Sequence, residues 1–375
     1  MNDFIPVNEP LLNGNEKKYL IECIDTGWIS SEGPFIQRFE EGMAKTVNRK
    51  YGIAVSNGTA ALEIAVQAIG IGKGDEVIMP TFTIISCAAA VVKMGAIPIF
   101  IDCDLDTWNM DVSKIEEKIT AKTKAIMVVH IYGLPTEMEQ VIEIAKKYKL
   151  KIIEDAAEMH GQTYNNQSCG SFGDISIFSF YPNKHITTGE GGMLLTNDEH
   201  VAERCKSLRN LCFIPQRRFV HEEIGFNYRM TNIQAALGVA QLERLNQFVE
   251  KKRYIGKKYT ELLSDVSGLQ LPLSCTAYAE NIYWVYGIVL DDTFPFDAEW
   301  MMKKLGERNI GTRPFFWPMH EQPVFQTMEV DGQYPNAEKI ARRGFYVPSG
   351  LALGHDQQQR VADAIRSIMT EVKAQ

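Results

Sequence analysis

The sequence predicts an α/β protein built on a mainly parallel sheet flanked by helices, followed by a smaller α+β domain. Three observations support this prediction. Short apolar runs rich in branched residues recur through the first two thirds of the 375-residue chain, amphipathic segments separate several of them, and the pattern changes near residue 196. Continuous apolar runs of this length are typical of strands buried on both faces. Strands that alternate with helices indicate βαβ units and a parallel sheet.

The predicted sheet contains seven strands, at residues 52–55, 76–79, 97–101, 125–130, 151–154, 175–180 and 193–196. Amphipathic segments at 59–69, 83–94 and 137–147 are the predicted helices between them. A polar loop, rather than a helix, joins the last two strands. A parallel neighbour needs a long crossover, so this connection allows part of the sheet to be antiparallel.

The last third of the chain has a different mixture of elements. Helices are predicted at 198–211, 231–257, 297–308 and 356–373, a strand at 283–290, and a strand or loop at 311–316. The length allows about two domains at roughly 150 residues each. We therefore expect a large domain at residues 1–245 and a small C-terminal domain at 246–375.

Composition excludes several classes of protein. Lys and Arg number 39 against 47 Asp and Glu, a net charge of −8, which argues against binding nucleic-acid backbones. The seven cysteines form no CxxC pair, so disulfides and a zinc site are not expected. Residues 1–6 lack the features of a secretion signal. The apolar stretch at 88–101 is interrupted by Lys93, Gly95 and Pro98, so no membrane span is predicted. These observations indicate a cytoplasmic protein.

The most unusual segment is residues 179–192, in which a predicted strand ends in a polar loop with one lysine and then a Gly-rich turn. The ends of strands in α/β sheets are where ligands bind. Desolvation there would lower the pKa of Lys184 and make it a nucleophilic amine suited to Schiff-base chemistry. The alternative is an ordinary surface lysine after a strand.

An acidic group ends the preceding predicted strand, in the segment 152–158. Asp155 at this strand end could pair with the protonated pyridine nitrogen of pyridoxal phosphate (PLP), an acid partner that the cofactor needs as an electron sink. The alternative, which the segment alone leaves equally open, is a helix N-cap.

A third segment, residues 55–61, combines a strand, a small polar turn and an Ala-rich helix. Helix N-termini bind phosphate through free N–H groups and the helix dipole. Gly58 and Thr59 are therefore candidate phosphate ligands, although many strand-to-helix turns look like this without binding anything.

Two other patterns resemble binding motifs but do not meet the requirements of those motifs. The glycines at residues 70–74 follow a predicted helix and precede a strand, the reverse of a dinucleotide-binding turn. The histidines are scattered without a metal-binding motif, so no metal site is expected.

Taken together and in this order, the three segments resemble the sugar-nucleotide aminotransferases of the DegT/StrS type, which are fold-type I PLP enzymes. The likeness covers nearly the whole chain. It includes residues 27–31, 56–59, 74–78, 130–133, 154–158, 172–174, 179–192 and 225–232.

The resemblance implies a role for each matching residue. Lys184 would hold PLP covalently and move the proton during transfer, Asp155 would pair with the pyridinium nitrogen, and Glu158 would lie near the phenolic oxygen. The cofactor would alternate between PLP and pyridoxamine phosphate.

The resemblance also implies a shared phosphate site. Gly58, Thr59 and Ser179 would bind the cofactor phosphate from one subunit, and Asn227 would reach it from the neighbouring subunit, which makes a homodimer part of the active site. Arg229 is a candidate for the carboxylate of the amino donor, L-glutamate, because arginine suits bidentate carboxylate binding.

A narrower likeness is to those members that aminate GDP-4-keto-6-deoxymannose, and residues 28–31, 225–232 and 313–320 carry it. The residues expected to contact this nucleotide-linked keto sugar or the amino donor are Trp28, Ser30, His221, Arg229, Arg313, Phe316 and His320.

The sequence also departs from the family pattern. Ile84 stands where relatives usually have an aromatic residue over one face of the cofactor, so the contact would be aliphatic or Phe82 would substitute. Pro182 and His185 also replace residues usual in relatives. These changes line the expected pocket, so they bear on the sugar more than on the cofactor.

Four alternatives therefore remain. The substrate could be a UDP- or dTDP-linked 3- or 4-keto sugar. A PLP-dependent sugar dehydratase would carry histidine at the position of Lys184, and His185 is adjacent. A non-catalytic regulatory relative need not keep Lys184, Asp155 and Asn227 together. An NAD-dependent oxidoreductase would need a dinucleotide fingerprint that the sequence lacks.

Overall fold

The computed structural model describes residues 4–214, 216–217, 219–326 and 332–373. Within these residues the α-helices are α1 (Glu16–Thr26), α2 (Pro34–Thr46), α3 (Gly58–Ala68), α4 (Ile85–Lys93), α5 (Met138–Tyr148), α6 (Glu199–Arg209), α7 (Asn232–Leu242), α8 (Leu245–Leu263), α9 (Ala298–Gly306), α10 (Pro335–Arg343) and α11 (His355–Lys373). The strands are β1 (Tyr51–Val55), β2 (Glu76–Pro80), β3 (Ile97–Ile101), β4 (Thr123–Val129), β5 (Lys151–Asp155), β6 (Thr163–Tyr164), β7 (Gln167–Ser168), β8 (Ile175–Ser179), β9 (Gly192–Thr196), β10 (Leu269–Gln270), β11 (Tyr286–Leu290), β12 (Arg313–Pro314) and β13 (Gly344–Val347).

A seven-stranded sheet forms the centre of the molecule, in the order β1-β9-β8-β5-β4-β2-β3. All seven predicted strands are present in it. Its pairings are parallel except at β9, which runs antiparallel to both β1 and β8. The predicted mainly parallel α/β sheet is confirmed. The antiparallel strand is the one that follows the polar loop, since no crossover helix separates β8 from β9.

Helices cover both faces of this sheet. Along β1, Ile53 and Val55 join the core packed by α3, α4 and α6, whereas Ala54 between them joins the core packed by α2, α5 and α7. The alternation follows from the twofold period of strand side chains. Burial on both faces explains why the strands are continuous apolar runs rather than alternating ones.

The C-terminal part contains a four-stranded antiparallel sheet in the order β10-β11-β13-β12. Helices α8, α9 and α11 pack against it around a separate core. This antiparallel sheet with its packed helices corresponds to the smaller α+β unit that the sequence predicts. The boundary at residues 245 and 246 stays a prediction, and it falls at the first turn of α8.

One predicted element is wrong. The helix expected at 231–257 is two helices, because Arg244 closes a tight turn by donating its N–H to the Gln241 carbonyl, 3.0 Å away. Neither proline nor glycine marks this break. Helices α1, α2 and α10 and strand β13 were not predicted. For α2 the signal was present, since Pro34 occupies its first turn.

All seven cysteines are free thiols. Among the described residues, no helix is long and apolar enough to cross a membrane.

Candidate active site

A cavity of about 690 Å³ lies at the carboxyl ends of β4, β5 and β8, beside the N-terminus of α3. This is the edge of an α/β sheet where ligands bind. Sheet, helix and C-terminal residues all contribute to its wall. Its lining residues include Gly58, Thr59, Ile84, Ser86, Asp155, Glu158, Ser179, Lys184, Trp284, Phe316 and Tyr346.

Lys184 lies in the loop that follows β8, where its side chain is only 10% exposed. Its Nζ lies 3.7 Å from Oε1 of Glu158 and 3.9 Å from the ring centroid of Trp284. Burial lowers the pKa of Lys184, and the nearby carboxylates of Glu158 and Asp155 oppose that shift. The ammonium is therefore easier to deprotonate than a surface lysine, so this amine is prepared to act as a nucleophile and base.

Asp155 is the last residue of β5 and is almost completely buried. Its Oδ1 accepts the Ala157 N–H at 3.0 Å, and its Oδ2 accepts the Cys87 thiol at 3.2 Å. Burial raises the pKa of Asp155, while these two donors and Lys184 oppose the rise. The carboxyl group lines the cavity, so a cationic ring nitrogen placed there would favour its ionised form.

Glu158 follows Asp155 in the loop after β5 and is also buried. Its Oε2 accepts the backbone N–H of Tyr132 at 2.7 Å. Burial raises the pKa of Glu158 to about 7, against the opposing influence of Lys184 and of the Tyr132 N–H. Glu158 can therefore gain or lose a proton near neutral pH.

The N-terminus of α3 forms the other end of the cavity. Asn57 caps this helix by accepting the N–H of Ala60 at 2.8 Å. The N–H groups of Gly58 and Thr59 have no intrahelical acceptors because they open the helix. The Thr59 hydroxyl lies 2.8 Å from that of Ser86. A Cβ on Gly58 would lie 2.9 Å from Cβ of Ser179. Hydroxyls and free N–H groups at a helix N-terminus suit a phosphate.

Phe82, one of the two side chains that could pack against the cofactor, is not among the residues that line the cavity. Phe82 is fully buried and packs against Tyr132, Phe315 and Phe316 with ring centroids 6.0 Å apart. It lies behind the lining residues, whereas Ile84 is among them. Which of these two side chains contacts the cofactor ring stays a prediction.

Most predicted sugar contacts lie outside the cavity of this single chain. Phe316 lines it, whereas Trp28, Ser30, His221, Arg313 and His320 do not. Trp28 is 49% exposed. His320 instead has its Nδ1 2.7 Å from the Thr81 hydroxyl, and His221 has its Nδ1 2.8 Å from the Leu211 carbonyl oxygen.

Asn227 and Arg229 also lie outside the cavity lining. Arg229 donates through Nη2 to Oδ1 of Asn227 at 2.6 Å and through Nη1 to Oδ1 of Asn210. Asn227 is exposed. Neither residue lines the cavity of its own chain, and the phosphate contact of Asn227 stays a prediction.

Sequence reasoning missed several lining residues from the C-terminal part. Trp284 covers Lys184, donates its Nε1–H to the Asn183 carbonyl at 2.8 Å, and is nearly buried. Tyr346 on β13 lines the same wall. Both lie about 100 residues or more from the loop they approach, and their apolar surroundings resemble an ordinary core. Among the motifs recognised in the sequence, only the segment 313–320 pointed to this wall.

One buried group with metal-ligand atoms lies outside the cavity lining. His130, Glu154 and Cys169 approach one another, but the Glu154 carboxylate already accepts the N–H groups of Gly170 and Phe172 at 2.5 and 2.8 Å. Both carboxylate oxygens of Glu154 are therefore already hydrogen-bonded to backbone N–H groups. The absence of a metal site stays a prediction.

The residues of the cavity fit PLP. Lys184 supplies an amine, Asp155 supplies a buried carboxylate with cavity access, and the N-terminus of α3 supplies a phosphate site at the opposite end. These parts at the carboxyl edge of a mainly parallel sheet define the class of fold-type I PLP-dependent enzymes.

Comparison with known proteins gives the family. The chain belongs to the DegT/DnrJ/EryC1/StrS aminotransferase family, whose model matches residues 10–366. The GDP-perosamine synthase of Escherichia coli O157:H7 is 43% identical over 98% of this chain and 99% of the relative. That of Vibrio cholerae is 39% identical over 97% of this chain and 98% of the relative. The aminotransferase TlmJ from Streptoalloteichus hindustanus superimposes with a TM-score of 0.92 at 28% identity, covering 98% of this chain and 100% of that one.

This family is PLP-dependent, and the chain is a PLP-dependent sugar aminotransferase. The resemblance and the fold class inferred from the sequence are confirmed.

Proposed function

We propose that this enzyme transfers an amino group from L-glutamate to the keto carbon of GDP-4-keto-6-deoxymannose and forms GDP-perosamine. The observation that carries this proposal is the 43% identity to a GDP-perosamine synthase over 98% of the chain. The grouping of Lys184, Asp155 and Glu158 in one cavity supports it. 2-Oxoglutarate is the product of the donor half of the reaction.

PLP, when bound, accepts the amino group at its aldehyde carbon and delocalises the electron pair left when a proton is removed. In the proposed mechanism Lys184 would hold the cofactor through Nζ until an incoming amine displaces it, and the freed amine would then accept a proton from the cofactor carbon that carries the amino group and deliver one to the sugar carbon. Burial lowers the pKa of this lysine, which favours the neutral amine that such a base needs. Oε1 of Glu158 lies 3.7 Å from this Nζ, close enough for its negative charge to attract the ammonium form.

Asp155 is proposed to hold a proton on the ring nitrogen of the cofactor, because its carboxylate is buried and faces the cavity. Glu158 is proposed to lie near the phenolic oxygen. Gly58, Thr59 and Ser179 are proposed to hold the phosphate. Ile84, rather than Phe82, is proposed to cover the ring.

We further propose that the enzyme is a homodimer in which Asn227 of one chain completes the phosphate site of the other. Asn227 is exposed and lies outside the cavity of its own chain. Trp28, which is 49% exposed, also lies outside that cavity. The remaining proposed substrate contacts are Ser30, His221, Arg229, Arg313 and His320, of which Arg313 pairs with Tyr346 in the wall of its own chain's cavity. Sedimentation should give a mass twice the 42.3 kDa of one chain.

The proposed compartment is the cytoplasm. The seven thiols are unpaired, as suits a reducing environment.

The dehydratase alternative is not favoured by the position of His185. Its ring is buried with Nε2 3.2 Å from the Ile282 carbonyl oxygen. It is not among the residues that line the main cavity, whereas Lys184 is. Burial lowers the pKa of His185 to about 3, so this ring would be a poor proton carrier at neutral pH.

The test is transamination against a panel of nucleotide-linked keto sugars, with L-glutamate as donor and products identified by mass and NMR. The proposal expects GDP-4-keto-6-deoxymannose to give a 4-amino sugar at the highest kcat/KM. A strong preference for a UDP- or dTDP-linked 3-keto sugar would overturn the proposed substrate, and a deoxy ketone product would overturn amino transfer.

A further inference from the structure

The carboxylate of Asp155 has a thiol partner that the sequence did not reveal. Cys87, in the first turn of α4, lies with Sγ 3.2 Å from Oδ2 of Asp155. Both residues are buried, with 0% and 2% of their surfaces exposed. The other oxygen of Asp155 accepts the Ala157 N–H, so each carboxylate oxygen has one donor from the protein.

The direction of the thiol hydrogen bond follows from chemistry. Burial and the neighbouring Asp155 carboxylate raise the pKa of the Cys87 thiol well above its ordinary value, so sulfur keeps its proton and donates it. The Thr83 hydroxyl lies 3.5 Å from the same sulfur. Since the single thiol hydrogen is directed to Asp155, the hydroxyl is the donor to sulfur. Thr83, Cys87 and Asp155 thus form a short donor chain that ends on the carboxylate, and such chains strengthen each member.

The donors matter because burial works against an ionised Asp155. Desolvation raises the pKa of this carboxyl group, and the thiol opposes the rise. Among the described residues, Lys184 is the charged group that most favours the ionised carboxylate of Asp155, whereas the Asp155 carboxylate raises the pKa of Glu158.

We propose that Cys87 is a positioning residue, whose thiol orients Asp155 and keeps it ionised so that the carboxylate can hold the ring nitrogen of the cofactor. This inference rests on the cofactor role proposed for Asp155, but not on the identity of the sugar. It assigns a function to a buried cysteine that would otherwise count as core.

The first test reads the hydrogen bond in the cofactor-free protein by the infrared S–H stretch. Subtracting the spectrum of Cys87→Ser from the wild type isolates the band of Cys87, and subtracting Cys205→Ala isolates that of another fully buried thiol on α6. The Cys87 band should lie at lower frequency and move toward the Cys205 band in Asp155→Asn. A Cys87 band that coincides with that of Cys205 would overturn the inference. Because no sugar is present, this result is independent of the substrate proposal.

The second test compares PLP affinity in two variants of similar size. Cys87→Ser keeps a donor and should bind PLP within about twofold of the wild type, whereas Cys87→Ala should bind about five- to tenfold more weakly, since a hydrogen bond to a charged group is lost. Cys205→Ala controls for the loss of a buried thiol and should leave PLP affinity unchanged. Equal affinities of the serine and alanine variants would contradict a donor role, as would equal weakening in Cys205→Ala.

Discussion

Two groups of predicted site residues are held in different ways. We call Asp155, Glu158 and Lys184 the floor of the cavity. We call Asn227 and Trp28 its predicted rim. On the floor, Asp155 and Glu158 are buried and the side chain of Lys184 is only 10% exposed, and hydrogen bonds or close charges within one chain hold all three. Of the residues predicted for the rim, Asn227 is exposed and Trp28 is 49% exposed, and neither lines the cavity of its own chain. One chain therefore contains the groups proposed for proton transfer, whereas substrate selection is proposed to depend on assembly.

The largest effect is expected from removing the floor lysine. Lys184→Ala should abolish the visible absorbance of the PLP-loaded enzyme and lower kcat by about 10³-fold or more, because the nucleophile and proton carrier are the same group. Absorbance and stopped-time product formation measure both effects. Lys147→Ala on the exposed surface of α5 is the matched control. Retained absorbance and turnover in Lys184→Ala would refute the assignment.

The floor was more predictable than the rim for a physical reason. Asp155 and Lys184 follow strands that the sequence makes visible as apolar runs, so their place at the sheet edge follows from chain order. Trp284 and Tyr346 arrive through packing of the C-terminal sheet, and no local pattern encodes that approach. Cys87 carries no charge, and its role depends on a contact 68 residues away. The break between α7 and α8 was missed because helix-forming residues continue through it.

The second prediction asks whether floor and rim come from different chains. Asn227→Ala should lower kcat/KM by about 10²-fold, as expected for loss of a charge-assisted phosphate contact. A mixed dimer of Asn227→Ala and Lys184→Ala, isolated with two tags, should regain about half of the wild-type activity, because one of its two sites is intact.

The control for this experiment combines two floor variants. A mixed dimer of Lys184→Ala and Asp155→Asn has a defect in each site if both residues act within their own chain, so it should stay inactive. Recovery in this pair, or none in the Asn227 pair, would reverse the proposed division between floor and rim.

A smaller effect is expected from the buried carboxyl of Glu158. Its pKa is raised from 4.5 to about 7 in the folded protein. Between these values the folded carboxyl keeps a proton that the unfolded one has lost, so the free energy of unfolding falls as pH rises. Relative to Glu158→Gln, the cofactor-free wild type should lose about 3 kcal/mol between pH 4.5 and pH 8.

Urea unfolding at several pH values measures this difference. Glu143→Gln, an exposed position on α5, should follow the wild type across the range. A difference between Glu158→Gln and wild type that does not change with pH would show that folding does not raise the pKa of the Glu158 carboxyl.

The smallest effect is expected at the proposed phosphate site, where steric contact rather than charge should determine PLP affinity. A Cβ on Gly58 would lie 2.9 Å from Cβ of Ser179, so Gly58→Ala must displace a proposed phosphate ligand. PLP should bind about tenfold more weakly, or about 1.4 kcal/mol, while the helix itself gains from alanine. Gly72→Ala is the matched control because its Cβ would meet nothing within 4 Å. Fluorescence titration with PLP gives both affinities. Unchanged affinity in Gly58→Ala would mean that Ser179 can move without cost, and the phosphate would then depend mainly on the N–H groups of α3.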